Sequence, residues 1–398
     1  MTATRVAFTP IGGSQWTGGH SYLVNLLGAI ESHESLRVHP VLFSGDDTEE
    51  TYLLPFRRLG RVDVVRSPLL NADRSAARLT DALLSGVDHA AVGLFREHGI
   101  HVVFEAATFY GWRFPMPSIA WLSDFQHRRL KHQFSATAYW KRELGFRAQI
   151  LSGRIIMLSS ENARADCEHF YPASTGRTAV VRFAAQLDAC LMEEDPGLTL
   201  EKYGLPAQFF YLPNQFWKHK NHAVVIEALG VLKQQGCDVV VAATGNPVEP
   251  RHPRHFAALS KRIDELGLRT NFRMLGMVPR AHVISLMRTC TALINPSLFE
   301  GWSSTVEEGR MLAVPMILSA IGVHREQMGE KATYFDPYEP RDLALKLKEM
   351  STRTEASRAP RTIDPLSDGR VRRFACEFVE AVNRAQASSR FGPQRDDA

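Results

Sequence analysis

Residues 291–313 read TALINPSLFEGWSSTVEEGRMLA. Thr291 to Ser297 is β-branched and apolar and is broken by Pro296, the pattern of a buried strand. From Thr305 the spacing turns helical, with Val306 and Arg310 four apart and Met311 and Leu312 one turn on. The stretch therefore reads strand, turn, helix. Glu300 falls past the carboxyl end of the strand and Glu308 in the first turns of the helix. In an open α/β sheet that crevice is where ligands bind. The helix start offers free N–H groups and a partial positive charge, which suit an anion such as phosphate. Ser304 followed by Glu307 also fits a Ser-x-x-Glu capping box. That reading accounts for Ser304 and Glu307 but leaves Glu300 and Glu308 without a role.

Twelve further apolar runs of the same kind flank this one, with helical patterns between them. A first set comprises Thr4–Pro10, Arg37–Gly45, Arg61–Ser67, Ile100–Ala106, Ser118–Asp124, Arg154–Ser160 and Thr178–Ala184. After the irregular stretch Asp188–Ala207 come Phe209–Asn214, Asp238–Gly245, Asn271–Gly276, the 291–297 run, Val314–Ser319 and Ala332–Pro337. Alternation of strand and helix predicts parallel sheets wrapped by helices, here twice over. The expected domains are 1–187 and 188–363. A helical tail from 364 is expected to pack back on the first domain, with the 388–398 end frayed.

At 398 residues two domains of ordinary size are the natural expectation. A hydrophobic fraction of 44% and a charged fraction of 23% describe a globular protein in water. The net charge of +4 is too small to argue for nucleic acid. The five cysteines are scattered without Cys-x-x-Cys spacing, which disfavours a disulfide framework or a zinc site and favours a reducing compartment. The N-terminus lacks a basic segment followed by an apolar core, and no apolar run approaches a membrane span. A cytoplasmic enzyme or binding protein is expected.

Three more segments carry candidate chemistry. GGSQWTGGHSYLVNLL (Gly12 to Leu27) follows the first strand, and Gly18 and Gly19 would let a ligand approach the backbone at a helix start; an ordinary turn fits as well. It is not Gly-x-Gly-x-x-Gly, and no acid ends the second strand, so a nicotinamide dinucleotide site is disfavoured. Lys218 and Lys220, in FWKHKNH, lie where the second domain's first strand hands over to its first helix. Either could neutralise a diphosphate, or both could be solvated. WLSDFQHRRLKHQFS (Trp121 to Ser135) carries Asp124 and His127. The 128–147 segment mixes cations with Phe134, Tyr139 and Trp140. It suits a peripheral contact with an anionic membrane or a solvated helix with a buried aromatic face. Ser160 is placed to cap a helix.

Taken together, FEGWSSTVEEG, KHKN, WTGGH and SAIGVHREQ resemble retaining family 4 glycosyltransferases, most strongly over Tyr211–Pro337. The Glu-(seven residues)-Glu pattern is the most specific part, and FWKHKNH with VHREQ looks like the subset that builds bacterial surface polysaccharides. The resemblance implies a GT-B fold, α/β, with two facing Rossmann-like doubly wound parallel-sheet domains and a cleft between them. It implies a nucleotide-sugar donor (UDP-, GDP- or dTDP-linked) as co-substrate and a glycan or lipid-linked glycan acceptor. The pathway would be lipopolysaccharide, O-antigen or exopolysaccharide synthesis, at or near the inner face of the membrane. Glu308 would then bind the ribose hydroxyls, with Glu300 near the transferred sugar and Gly301, Trp302, Ser303 and Ser304 along the sugar or diphosphate. Lys220, assisted by Lys218, would stabilise the departing diphosphate. Gly18 and Gly19 match the loop that closes on the donor, and His127 a histidine beside its sugar. Gly245 is placed on the donor side of the sheet, and Met277 with Val278 where backbone reads the base. Glu326 matches a family acid.

The family arginine that precedes the matched lysine is missing; Asn214 and Gln215 occupy that stretch. No Asp-x-Asp motif is present, so the resemblance is to a metal-independent enzyme without a cofactor. Two other readings share these features: a sugar-nucleotide epimerase of the same fold, and a non-catalytic nucleotide-sugar-binding subunit of a polysaccharide-assembly complex.

Overall fold

All thirteen apolar runs form strands in the computed structural model, which describes residues 3–12, 17–106, 108–352 and 360–390. The chain divides into two compact units. Unit 1 is drawn from Met1–His127, Ala136–Ala184 and Asp368–Ala398, and unit 2 from Arg128–Ser135 and Ala185–Ser367.

Unit 1 is built on seven parallel strands: β1 (Thr4–Phe8), β2 (Val38–Ser44), β3 (Asp63–Arg66), β4 (Val102–Ala106), β5 (Ser118–Trp121), β6 (Ile155–Leu158) and β7 (Thr178–Val180). Their spatial order is β3-β2-β1-β4-β5-β6-β7. The Ser367–Arg390 helix belongs to this unit and lays Phe374 against Tyr22, and Phe378 against Phe8 and Phe104. Arg182 fastens it by a 2.6 Å ion pair to Glu377. Ser160 caps its helix as the sequence suggests, its side chain accepting from the Ala163 amide.

Unit 2 holds β8 (Phe210–Leu212), β9 (Val241–Thr244), β10 (Phe272–Gly276), β11 (Ala292–Asn295), β12 (Met316–Ser319) and β13 (Thr333–Phe335), again all parallel, in the order β10-β9-β8-β11-β12-β13. Every residue of β8, β9, β11 and β12 is buried. Helices cover both faces, which is why these strands read as continuous apolar runs rather than alternating ones. Successive side chains still point to opposite faces. Phe210, Leu212, Ala292 and Ile294 join one core with the His222–Gln234 helix. Tyr211, Leu293, Met316 and Leu318 join the other with the Arg280–Thr289 and Ser304–Met311 helices. Among the described residues no helix is long and apolar enough to cross a membrane.

The strand order has one consequence for function. The sequence winds outward from β8 to β10, then restarts beside β8 with β11. Between β8 and β11 the connections leave in opposite directions, opening a crevice at the strands' carboxyl ends.

Candidate functional site

The loops bordering that crevice in unit 2 are the ones after β8 and after β11. The β8 loop runs from Pro213 to a short 3-10 turn, Lys218–Lys220, and ends on Asn221 in the left-handed conformation (φ 55°). Asn221 tolerates that backbone because its side-chain amide is engaged, donating to the carbonyls of Pro296 (3.2 Å) and Pro337 (2.8 Å). The Leu298 amide donates to the His219 carbonyl at 2.8 Å. These bonds set the loops edge to edge, and Lys220 Nζ meets Glu300 Oε1 at 2.6 Å. Both side chains are mostly buried, with exposures of 14% and 9%. An ammonium and a carboxylate 80 residues apart in sequence thus share one partly desolvated spot.

Histidines surround the lysine without adding charge. Burial, reinforced by His255 and Lys220, pushes the His222 imidazole down to about 3, and its ring stacks on Phe216. Burial also holds His219 well below the ordinary range, with Lys220 contributing. His324 is pushed down to about 4 by burial, against the pull of Glu300, and its Nδ1 lies 3.0 Å from the Ser319 carbonyl. On the Lys218–Lys220 turn the positive charge is therefore carried by Lys220 and by the exposed Lys218. Lys218 uses its backbone amide on Glu249 and leaves its ammonium on the surface.

Between Glu300 and Glu308 the chain is pinned rather than loose. Ser303, not Ser304, is the N-cap of the Ser304–Met311 helix, its Oγ accepting from the Val306 amide. This corrects the Ser304–Glu307 capping box: with the cap at 303, Glu307 lies one position too far along to reach back. The Glu307 carboxylate instead accepts from Gln327 at 3.2 Å. Asn295 Nδ2 donates to Ser303 Oγ (2.8 Å), and Gln327 accepts from the Ser303 amide (3.2 Å) and donates to its carbonyl (3.0 Å). Ser303 is thus buried and its side chain is committed to structure, whereas Ser304 is exposed and Gly301, Trp302 and Glu308 are half-buried.

Asn214, in the stretch where the resemblance would place an arginine, is buried and bonded to Asn295 (3.3 Å) and Thr305 (3.1 Å). Gln215 accepts from the Asn246 amide at 2.6 Å. These two polar residues therefore tie the β8 loop to its neighbours at the crevice. Asn295 and Gln327 were not singled out from the sequence. The available signal was an asparagine inside an otherwise apolar strand, since a buried amide must find partners.

Glu308 accepts a 2.6 Å ion pair from Arg280, the first residue of the Arg280–Thr289 helix. Gly245, at the end of β9, has φ 149° and donates to the Gly276 carbonyl at 3.0 Å. Met277 is exposed and Val278 half-buried just beyond. Lys220, Gly245, Val278, Glu300 and Glu308 thus all follow carboxyl ends of unit 2 strands.

In unit 1, Gly18 and Gly19 lie in the first turn of the Thr17–Glu31 helix that follows β1, Gly18 exposed and Gly19 buried. Residues 13–16 of the same glycine-rich stretch lie outside the described residues. His127 has zero exposure, and its Nε2 lies 3.3 Å from both the Glu143 carboxylate and the Tyr171 hydroxyl. Burial, with help from Arg142, pushes its imidazole down to about 4. His127 is thus held in a buried polar cluster of unit 1. Asp124 is paired with Arg142 at 2.7 Å.

Residues 202–362, within unit 2, match the family model described as glycosyl transferases group 1. This stretch is a glycosyltransferase group 1 domain. Solved structures share the fold of the whole chain. A glycosyltransferase from Rickettsia africae ESF-5 is 13% identical with a TM-score of 0.66, covering 99% of this chain and 100% of that one. Anabaena HepE in complex with UDP and glucose is 15% identical (TM-score 0.62; 96% and 98% covered). WaaG, a glycosyltransferase involved in lipopolysaccharide biosynthesis, is 15% identical (TM-score 0.58; 98% and 100% covered). With its two Rossmann-like parallel-sheet units, the chain has the GT-B fold. No protein of curated function matches it.

Proposed function

We propose that this chain is a retaining, metal-independent glycosyltransferase that moves a sugar from a nucleotide-sugar donor to a hydroxyl of a glycan or lipid-linked glycan in bacterial polysaccharide synthesis. The observation that carries the reading is the Lys220–Glu300 pair at the unit 2 switch point, inside the glycosyltransferase group 1 domain. Leaving-group departure builds negative charge on the diphosphate. A preorganised, partly desolvated ammonium stabilises that charge more in the transition state than in the ground state. Glu300 holds Lys220 in place and lies where the transferred sugar would sit. Glu308, at the first turns of the helix, would accept from ribose hydroxyls, and the glycine-containing 301–304 turn would pass the diphosphate. That HepE has been captured with UDP and glucose supports a nucleotide-sugar donor. Gly18, Gly19 and His127 stay candidates through the resemblance.

The acceptor end of the proposal rests on the Ala136–Leu151 helix. Trp140, Leu144 and Leu151 are 55%, 61% and 69% exposed at helical spacing, with Lys141 and Arg147 exposed alongside. Such a face suits an anionic membrane carrying a lipid-linked acceptor at the cytoplasmic side.

The test is a thermal-shift panel of UDP-, GDP- and dTDP-sugars on wild type and Glu308→Ala, followed by transfer assays with the donor that binds. A nucleotide that stabilises the wild type and not the variant supports the donor site. Formation of an α-linked product from an α-linked donor, read by NMR, supports retention. Silence across the whole panel would overturn the reading.

A further inference from the structure

Arg280 belongs to no motif in the sequence, and the resemblance gives it no role. It follows β10 and Pro279 and starts the helix that packs beside β8 on the Glu308 side of the sheet. Its Nη2 donates to Glu308 Oε1 at 2.6 Å, a single-point contact. Among the described residues Glu308 Oε2 accepts no hydrogen bond, and the side chain keeps 16% exposure. Arg280 is 47% exposed, and a guanidinium has five N–H donors in a fixed fork. Beneath the pair, the Tyr211 hydroxyl is committed to Thr244 at 2.7 Å and does not compete for either group. The neighbouring Glu307 is occupied by Gln327 and Arg310. One carboxylate oxygen and most of one guanidinium fork therefore remain available at the carboxyl ends of β8 and β9.

Resting on the donor reading above, we propose that Arg280 is a donor-positioning residue that sets selectivity for the ribose. It fixes the Glu308 carboxylate by one oxygen, so that the other is presented to a ribose hydroxyl in a single orientation. It also offsets the repulsion between that carboxylate and the diphosphate of the incoming donor. The two acids of the Glu-(seven residues)-Glu pattern are then each matched with a cation before the donor arrives: Glu300 with Lys220, and Glu308 with Arg280. A freely rotating carboxylate could still accept a bond, but it would lose orientation on binding, and ribose would be distinguished less sharply from its deoxy forms.

Isothermal titration of UDP and GDP, each beside its 2′,3′-dideoxy form, tests this on wild type, Arg280→Ala, Arg280→Lys, Glu308→Ala and the double alanine variant. Wild type is expected to prefer one ribonucleotide over its dideoxy form by about tenfold or more, the range of a hydrogen bond to a charged group. Arg280→Ala should weaken that ribonucleotide about tenfold and erase most of the preference, with Arg280→Lys restoring part of it. The double variant should bind no worse than the weaker single one, because the two residues act as a unit. If Glu308→Ala loses the preference while Arg280→Ala keeps it, the donor reading stands and the role given to Arg280 falls. If Glu308→Ala also keeps it, or neither ribonucleotide binds the wild type, the ribose assignment itself falls and takes the inference with it. Melting curves of each variant guard against unfolding.

Discussion

Replacing Gly245 by alanine tests whether the floor of the proposed donor site depends on backbone contact. Gly245 sits at φ 149°, and a Cβ there would lie 2.3 Å from the Asn214 carbonyl oxygen, 2.8 Å from its carbonyl carbon and 2.9 Å from Gln215 Cα. All three are backbone atoms, so no side chain can rotate away to relieve the clash. Ordinary nonbonded contact is about 3.5 Å, so the end of β9 and the loop after β8 must part by roughly 1 Å. Unfavourable φ costs about 1–3 kcal/mol and overpacking a similar amount, giving an expected loss of about 3 kcal/mol. For a unit of this size that corresponds to a fall in melting temperature of roughly 6–12 °C. The displaced loop carries Asn214, which bonds Asn295 and Thr305, and leads to Lys220. A shift of roughly 1 Å at a positioning loop can cost on the order of a hundredfold in rate. Differential scanning calorimetry and donor-dependent turnover should therefore fall together. A Gly245→Ala protein that melts within about 2 °C of wild type and turns over normally would refute the contact argument.

Three other outcomes follow from the geometry. Lys220→Ala should lower kcat by about 10²–10³ with a smaller effect on KM, since the ammonium is assigned to charge that develops in the transition state; a loss confined to KM would sink that assignment. Ala313 occupies the left-handed position after the Ser304–Met311 helix (φ 50°), where the Val314 amide bonds the Gly309 carbonyl and the Ala313 amide that of Arg310. Ala313→Gly should thus stabilise by about 1 kcal/mol in denaturant titration, and a destabilised variant would count against it. His222 and His324 are neutral in the fold, with folded-state values of about 3 and 4 against about 6.5 in the unfolded chain. The unfolded chain takes up their protons first, so their stabilisation is complete above about pH 6.5 and drains away between about pH 6 and 4, by up to roughly 1.4 kcal/mol per pH unit for each residue. Melts from pH 7.5 to 4.5 should show this decline, and His222→Phe, which keeps a ring on Phe216, should make it shallower; an unchanged slope would refute the attribution.

The sequence by itself determined the elements and their class. Strands buried on both faces are largely apolar, so β8, β9, β11 and β12 stand out as short apolar runs. Alternation with helices then leaves little choice but parallel sheets. Position relative to a strand end was also legible, which is why Lys220, Glu300 and Glu308 could be marked. What they touch could not be read. Lys220 meets Glu300, and Glu308 meets Arg280, only because the order β10-β9-β8-β11-β12-β13 brings loops from distant parts of the chain together. A local pattern also could not choose between Ser303 and Ser304 as the cap. That choice was made by Asn295 and Gln327, which hold Ser303 from two other segments. His127 shows the same dependence, since Glu143 and Tyr171, which enclose it, come from other segments of the chain. Periodicity is a local consequence of which face is buried. Pairing between charged groups depends on strand order and on desolvation, and both exist only once the sheet has closed around its core.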